Sequence, residues 1–127
     1  MNSLSKISAL LLMSLFVFCI SSNVSFAQQE SSCKLFVPNI FSPNDDGSND
    51  IFKPSSNCVV SEYQLKIFSR WGRLVFESKR LEDGWDGKVK GSTLPADVYV
   101  YFIQYTFEET EGELEKEILK GDVTLIR

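Results

Sequence analysis

Val98-Tyr99-Val100-Tyr101-Phe102-Ile103-Gln104-Tyr105-Thr106 is a run of β-branched and aromatic residues interrupted only by Gln104. Branches at Cβ and bulky rings lose rotamer freedom in a helix and fit a pleated surface well. Both alternating faces of the run are apolar, which predicts a central strand. Working outward, Tyr63, Leu65 and Ile67 alternate with Gln64 and Lys66, the period of two expected of a strand with one buried and one wet face. Leu35–Val37, Ile51–Phe52, Leu74–Phe76, Leu114–Leu119 and Val123–Ile126 are shorter runs bounded by Gly, Pro, Asn and Asp, and read as further strands. No convincing amphipathic helix is present. Short strands with closely spaced turn signals predict an all-β fold, an immunoglobulin-like antiparallel β-sandwich. Cys33 and Cys58 come too early to be the inter-sheet pair of antibody domains.

The turns can be placed as well. Arg70-Trp71-Gly72-Arg73 separates the strand ending at Phe68 from the one starting at Leu74, so it predicts a tight hairpin with Gly72 at positive φ. Trp71 at that tip is either an exposed contact for a partner or a ring folded back over the sheet edge, and packing is the expectation. Asp83-Gly84 and Asp86-Gly87 flank Trp85 in a winding connection. Trp85 is expected to plug one end of the sandwich, since a large aromatic brings much buried area. Glu108 to Gly112 joins the last two long runs, and Glu113, Glu115 and Glu117 continue the charge along one face, expected to be wet. A solvated edge that discourages strand addition explains them better than an acidic binding surface.

Of the 127 residues, 24% are charged, the net charge is −4 and none is histidine. One domain is the most such a length holds. An acidic balance argues against a nucleic-acid partner, which requires a basic face. Without histidine the commonest general base and transition-metal ligand are missing, so hydrolase triads and zinc sites are disfavoured and no enzyme is expected.

Lys6 followed by the apolar run Ala9–Ile20 has the pattern of an export signal. At about 1.5 Å per residue the run falls well short of the roughly 30 Å hydrocarbon core, so a transmembrane helix is the weaker reading. Ser25-Phe26-Ala27 suits signal peptidase, giving a signal peptide over residues 1–27 and Gln28 as the new amino end. Lipid attachment at Cys19 is disfavoured by the bulky Phe18 before it. No other span is apolar enough to cross a bilayer. Removing Lys6 makes the mature part, residues 28–127, one unit more acidic than the whole. Cys33 and Cys58 remain, and oxidising conditions after export favour a disulfide that stabilises by about 3 kcal/mol. A catalytic thiol would need a nearby base, and no histidine supplies it.

Pro43-Asn44-Asp45-Asp46-Gly47-Ser48-Asn49-Asp50 concentrates hard oxygen ligands. Asn44, Asp46 and Asn49 or Asp50 are spaced like the start of a calcium loop. Counting from Asn44, Ser55 stands where an EF-hand has its closing glutamate. Any calcium site is therefore expected to be weak. The competing and favoured reading is an Asx-rich turn in which these side chains cap their own backbone. No other cofactor is suggested.

The ordered string of motifs says more than any one of them. Phe36 to Phe52 (FVPNIFSPNDDGSNDIF), Ile67-Phe68-Ser69-Arg70-Trp71-Gly72 with Val75-Phe76-Glu77, Gly84-Trp85-Asp86-Gly87, Leu94-Pro95, Val98-Tyr99 and the terminal Gly121 to Arg127 resemble the gliding motility-associated C-terminal domain. That family is also called the type B sorting domain of the type IX secretion system. The resemblance covers residues 33–127, after a short linker at 28–32, so the domain is expected to travel almost alone. It implies a β-sandwich without catalysis, recognised by the type IX machinery at the outer membrane and sent to the cell surface or medium. The expected reading elements are the Arg70-Trp71-Gly72 hairpin and the carboxyl-terminal strand. Family members often carry glycine where Asp45 and Asp97 stand, changes expected to alter turns and leave the strands untouched. The alternative function is a free-standing secreted adhesion module presenting Trp71 and the Asn44–Asp50 loop.

Overall fold

A computed structural model describes residues 33–109 and 112–127. The signal peptide expected over 1–27, the linker 28–32 and two residues of the acidic turn lie outside the described residues. The elements are β1 (Leu35–Phe36), β2 (Ile40–Phe41), β3 (Ser55–Ser56), β4 (Val60–Phe68), β5 (Leu74–Ser78), β6 (Lys88–Val89), β7 (Ser92–Thr93), β8 (Asp97–Glu108) and β9 (Leu114–Leu125). The main sheet has five strands in the order β2-β9-β8-β4-β5, and β1-β3 and β6-β7 form two-stranded ribbons. The Val98–Thr106 run is the body of β8, the middle strand, antiparallel to β4 and β9. β2 adds in parallel beside the end of β9. The protein is all-β, with several sheets as a β-sandwich requires.

One face of the main sheet carries the core. Tyr63, Leu65 and Ile67 from β4, Tyr99, Ile103, Tyr105 and Phe107 from β8, and Val123 and Leu125 from β9 are all buried. The alternation of β4 is therefore the one the sequence announces. Phe41, Phe52 and Trp85 cover this face near Tyr99 and Tyr101, with ring centroids 5.2 Å apart for Phe41–Trp85, 5.0 Å for Trp85–Tyr99 and 5.8 Å for Phe52–Tyr101. Tilted and edge-on contacts of this kind contribute about 0.5–1.5 kcal/mol each beyond burial. The Trp85 indole N–H, which would be costly to bury alone, donates to the Lys88 carbonyl at 3.0 Å. Gly87 holds the turn beneath it at φ +76°, and a Cβ there would stand 2.8 Å from Leu125 Cδ1. Cys33 and Cys58 form a disulfide with Cα atoms 5.4 Å apart, and it ties the ends of the β1-β3 ribbon together.

The structure corrects several expectations. Leu114–Leu119 and all of Val123–Ile126 but its last residue are parts of one strand, β9, even though Gly121-Asp122 looks like a break. Gly121 is required because the Tyr101 ring lies where its Cβ would be, 2.7 Å from Cζ. Ile51–Phe52 is no strand; Phe52 makes an isolated bridge with Trp85, and Ile51 is exposed. Glu113, Glu115 and Glu117 share the parity of Leu119, Val123 and Leu125, so they extend the core side of β9 beyond the end of the core. Glu113 and Glu115 are wet, whereas Glu117 is half-buried and accepts the Tyr105 hydroxyl at 2.7 Å. The outer face of β8 is also only partly covered, with Val98 42% and Val100 43% exposed.

Candidate recognition surface

The β4–β5 hairpin closes as the residue types require. Ser69 N–H donates to the Arg73 carbonyl at 2.8 Å, Gly72 N–H donates to the Ser69 carbonyl at 2.9 Å, and Gly72 takes φ +80°. Trp71 does not fold back over the sheet: it is 88% exposed. The reason is geometric. In so short a turn the ring projects beyond the last strand pair, Phe68 with Leu74, and no described element lies over it. The Arg70 guanidinium lies 3.7 Å from the Asp97 carboxylate at the start of β8. An ion pair this open to solvent on the Arg70 side contributes little energy.

Behind the tip the outer face of the sheet carries several exposed apolar side chains. Ile40, Val98, Val100 and Leu74 are all more than two-fifths exposed. Registers set Ile40 beside Thr124, Thr124 beside Val98, and Phe68 between Val100 and Leu74. These residues form adjacent rows across the sheet, ending at the hairpin. A band of apolar side chains next to a projecting indole is the arrangement expected of a protein-contact surface. Arg70, Trp71 and Gly72 were legible in the sequence as a tip. Sequence reasoning did not place Asp97, Ile40, Val98, Val100 and Leu74 at this surface, although the even-numbered apolar residues of β8 were the available signal.

The carboxyl-terminal strand ends in a clamp. Arg127 Nη2 donates to the Leu94 carbonyl at 2.9 Å, Nε donates to the same oxygen at 3.2 Å, and longer contacts of 3.5 Å reach the carbonyls of Pro43 and Gly87. One side chain thereby joins three loops to β9.

The Asn44–Asp50 loop is organised around Asp50. Its Oδ1 accepts the backbone N–H groups of Asn44 and Asp45 at 3.0 and 2.8 Å, and its Oδ2 accepts that of Gly47 at 2.7 Å. Asn44 Oδ1 accepts from Asp46 N–H, and Asp46 Oδ1 accepts from Ser48 N–H. Of the suggested calcium residues, Asn44, Asp46 and Asp50 thus lend side-chain oxygens to an Asx-type turn. Asp45 and Asn49 sit at φ +61° and +54°, a region short polar residues tolerate and glycine prefers. Among the described residues no group of three or more His, Cys, Asp or Glu is placed to hold a metal ion. An open depression of about 510 Å³ beside the loop mixes Asp45, Asp50 and Asp86 with Lys88 and Arg127, so its charges largely offset one another.

The perturbed groups are core tyrosines. Burial raises the Tyr63 hydroxyl far above its ordinary range. Burial first, then the Glu117 hydrogen bond and charge, push Tyr105 up to about 12. Among the described residues no helix is long and apolar enough to cross a membrane.

A family model, the CHU_C type IX secretion signal domain, matches residues 35–121. That span runs from β1 through Gly121 and contains the hairpin, the Asn44–Asp50 loop and the Trp85 turn. Comparisons with curated proteins and with solved structures give no match.

Proposed function

The chain belongs to the type IX secretion signal domain family, and from that premise we propose that it is a non-enzymatic sorting domain, read by the type IX machinery at the outer membrane and sent to the cell surface or medium. Residues 1–27 serve as the leader for the first crossing, at the inner membrane. We read the scaffold as an immunoglobulin-like sandwich, a reading that its all-β order supports. No reactive group enters the mechanism. The machinery recognises a folded outline: the Arg70-Trp71-Gly72 tip, the apolar band behind it, and β9 with its Arg127 clamp.

The observation that carries this reading, beyond family membership, is the 88% exposure of Trp71 on a hairpin closed by its own backbone bonds. A large ring left in water by a fold that buries its other tryptophan is available for contact with a partner. Residues 28–127 fused behind a periplasmic reporter, in a host with this apparatus, should carry the reporter to the surface or medium. A reporter that stays in the periplasm while its domain is folded and disulfide-bonded would overturn the proposal.

A further inference from the structure

Thr124 and Ile126 donate their backbone N–H groups outward to the carbonyls of Asn39 and Phe41, at 2.9 and 3.0 Å. The β8–β9 register runs without a shift from Asp97 opposite Leu125 to Glu108 opposite Leu114. Along β9, therefore, every even-numbered residue turns its N–H and C=O away from β8. β2 occupies that edge beside Thr124 and Leu125 only. Over the rest of β9, among the described residues, no strand pairs with it, and Lys116, Ile118, Lys120 and Asp122 are exposed. Open edges of this length are usually guarded by charge. Here the charges also determine which strand fits.

We propose that this edge receives a second copy of the same chain, β9 against β9, antiparallel about a twofold axis through Leu119. Antiparallel pairing sets outward-facing residues against outward-facing residues, so only registers centred on a residue are open. Centring on Lys116, Glu117 or Lys120 brings each of these charges against its own copy, and centring on Ile118 sets Lys116 against Lys120. Centring on Gly121 does set Lys120 against Asp122, but with β2 beside Thr124 it leaves only residues 119–123 free to pair, whereas centring on Leu119 leaves 115–123. Centring on Leu119 sets Lys116 against Asp122 twice, Ile118 against Lys120, and Glu117 against the side-chain-free Gly121. The two Leu119 side chains then meet as a close non-hydrogen-bonded pair, and the pairing ends at each side where β2 begins. Opposite charges facing across strands are favourable, and like charges there are not. The result is one sheet continuous through both copies.

Sedimentation equilibrium of the purified chain should show a monomer–dimer equilibrium. Amide exchange should slow with concentration at Lys116, Ile118, Lys120 and Asp122, and not at the odd positions already bonded to β8. Lys116→Glu sets a carboxylate against Asp122 at both ends of the pairing and should weaken the dimer by about tenfold or more. The double variant Lys116→Glu with Asp122→Lys restores opposite charges and should recover it. A chain that stays monomeric at millimolar concentration, a dimer indifferent to Lys116→Glu, or a failure of the double variant to rescue it would each overturn the proposal. These positions are exposed, so the variants should fold, and no secretion host is involved, so the outcome is independent of the sorting reading.

Discussion

Trp71 and Trp85 are the two tryptophans of the chain, and each stands in a turn that contains glycine, yet one is 88% exposed and the other 1%. Their neighbours explain the difference. Trp85 bridges to Phe52 through both backbone groups at 2.9 Å, packs on Phe41 and Tyr99, and has its N–H bonded. Its partners come from distant parts of the sequence and converge on the ring. Trp71 sits in a loop closed by local backbone hydrogen bonds, and although Arg70 beside it reaches Asp97, the ring itself is held by no described element. A residue held by many remote elements belongs to the fold, while one displayed by a self-sufficient turn is free to serve a partner. The largest test of that contrast is Trp85→Ala, which should cost about 3–5 kcal/mol, a large share of the total for a domain of this size. Urea denaturation followed by far-UV circular dichroism would measure it, and a cost below one kcal/mol would erase the distinction.

A second test removes the floor under Trp85 and leaves the ring in place. Gly87→Ala forces a side chain into a left-handed position and against Leu125 and Pro43, and should cost roughly 2–3 kcal/mol. A smaller effect comes from the buried tyrosines. Tyr63 has no hydrogen-bond partner for its hydroxyl among the described residues, whereas Tyr105 donates to Glu117. Tyr105→Phe should therefore lose about 1 kcal/mol, and Tyr63→Phe nothing or a slight gain. Both hydroxyls titrate higher folded than unfolded. Stability they support is intact below the ordinary value of 10.0 and is lost as pH rises above it toward the folded value, because only the unfolded chain ionises there. The melting temperature should fall on going from pH 10 to pH 12, and Tyr105→Phe should shrink that fall.

Legibility in the sequence followed the range of the interaction that decided each feature. The Tyr63–Ile67 alternation, the Gly72 turn and the central place of Val98–Thr106 depend on neighbours a few residues away, so pattern alone revealed them. Gly121-Asp122 looked like a strand break because both residues are poor strand formers. Only the Tyr101 ring, brought across from β8, makes the missing side chain an advantage. Asp50 was visible as one acid among several, but its place as the hub of the loop depends on which backbone N–H groups the fold turns toward it. The exposure of Trp71 required knowing that no described element covers the tip.

The smallest expected effect on stability is also the most informative. Trp71→Ala removes a ring that touches little, so the unfolding free energy should move by no more than about 0.5 kcal/mol. If the ring is a contact for the machinery, surface delivery of a fused reporter should nevertheless drop by about tenfold or more, since a buried aromatic anchor carries a disproportionate share of an interface. Fluorescence separates the two rings first: Trp85→Phe leaves Trp71 alone, with the red-shifted, readily quenched emission of an indole in water, and Trp71→Phe leaves a shielded one. Arg70→Ala then distinguishes display from contact. Its ion pair with Asp97 is open to solvent on the Arg70 side and contributes little to folding, so a delivery defect without a stability defect would mean that the guanidinium fixes the tip for recognition. Stability lost in Trp71→Ala would show that the ring packs on the domain after all, and delivery unchanged in that variant would show that the machinery contacts the domain elsewhere.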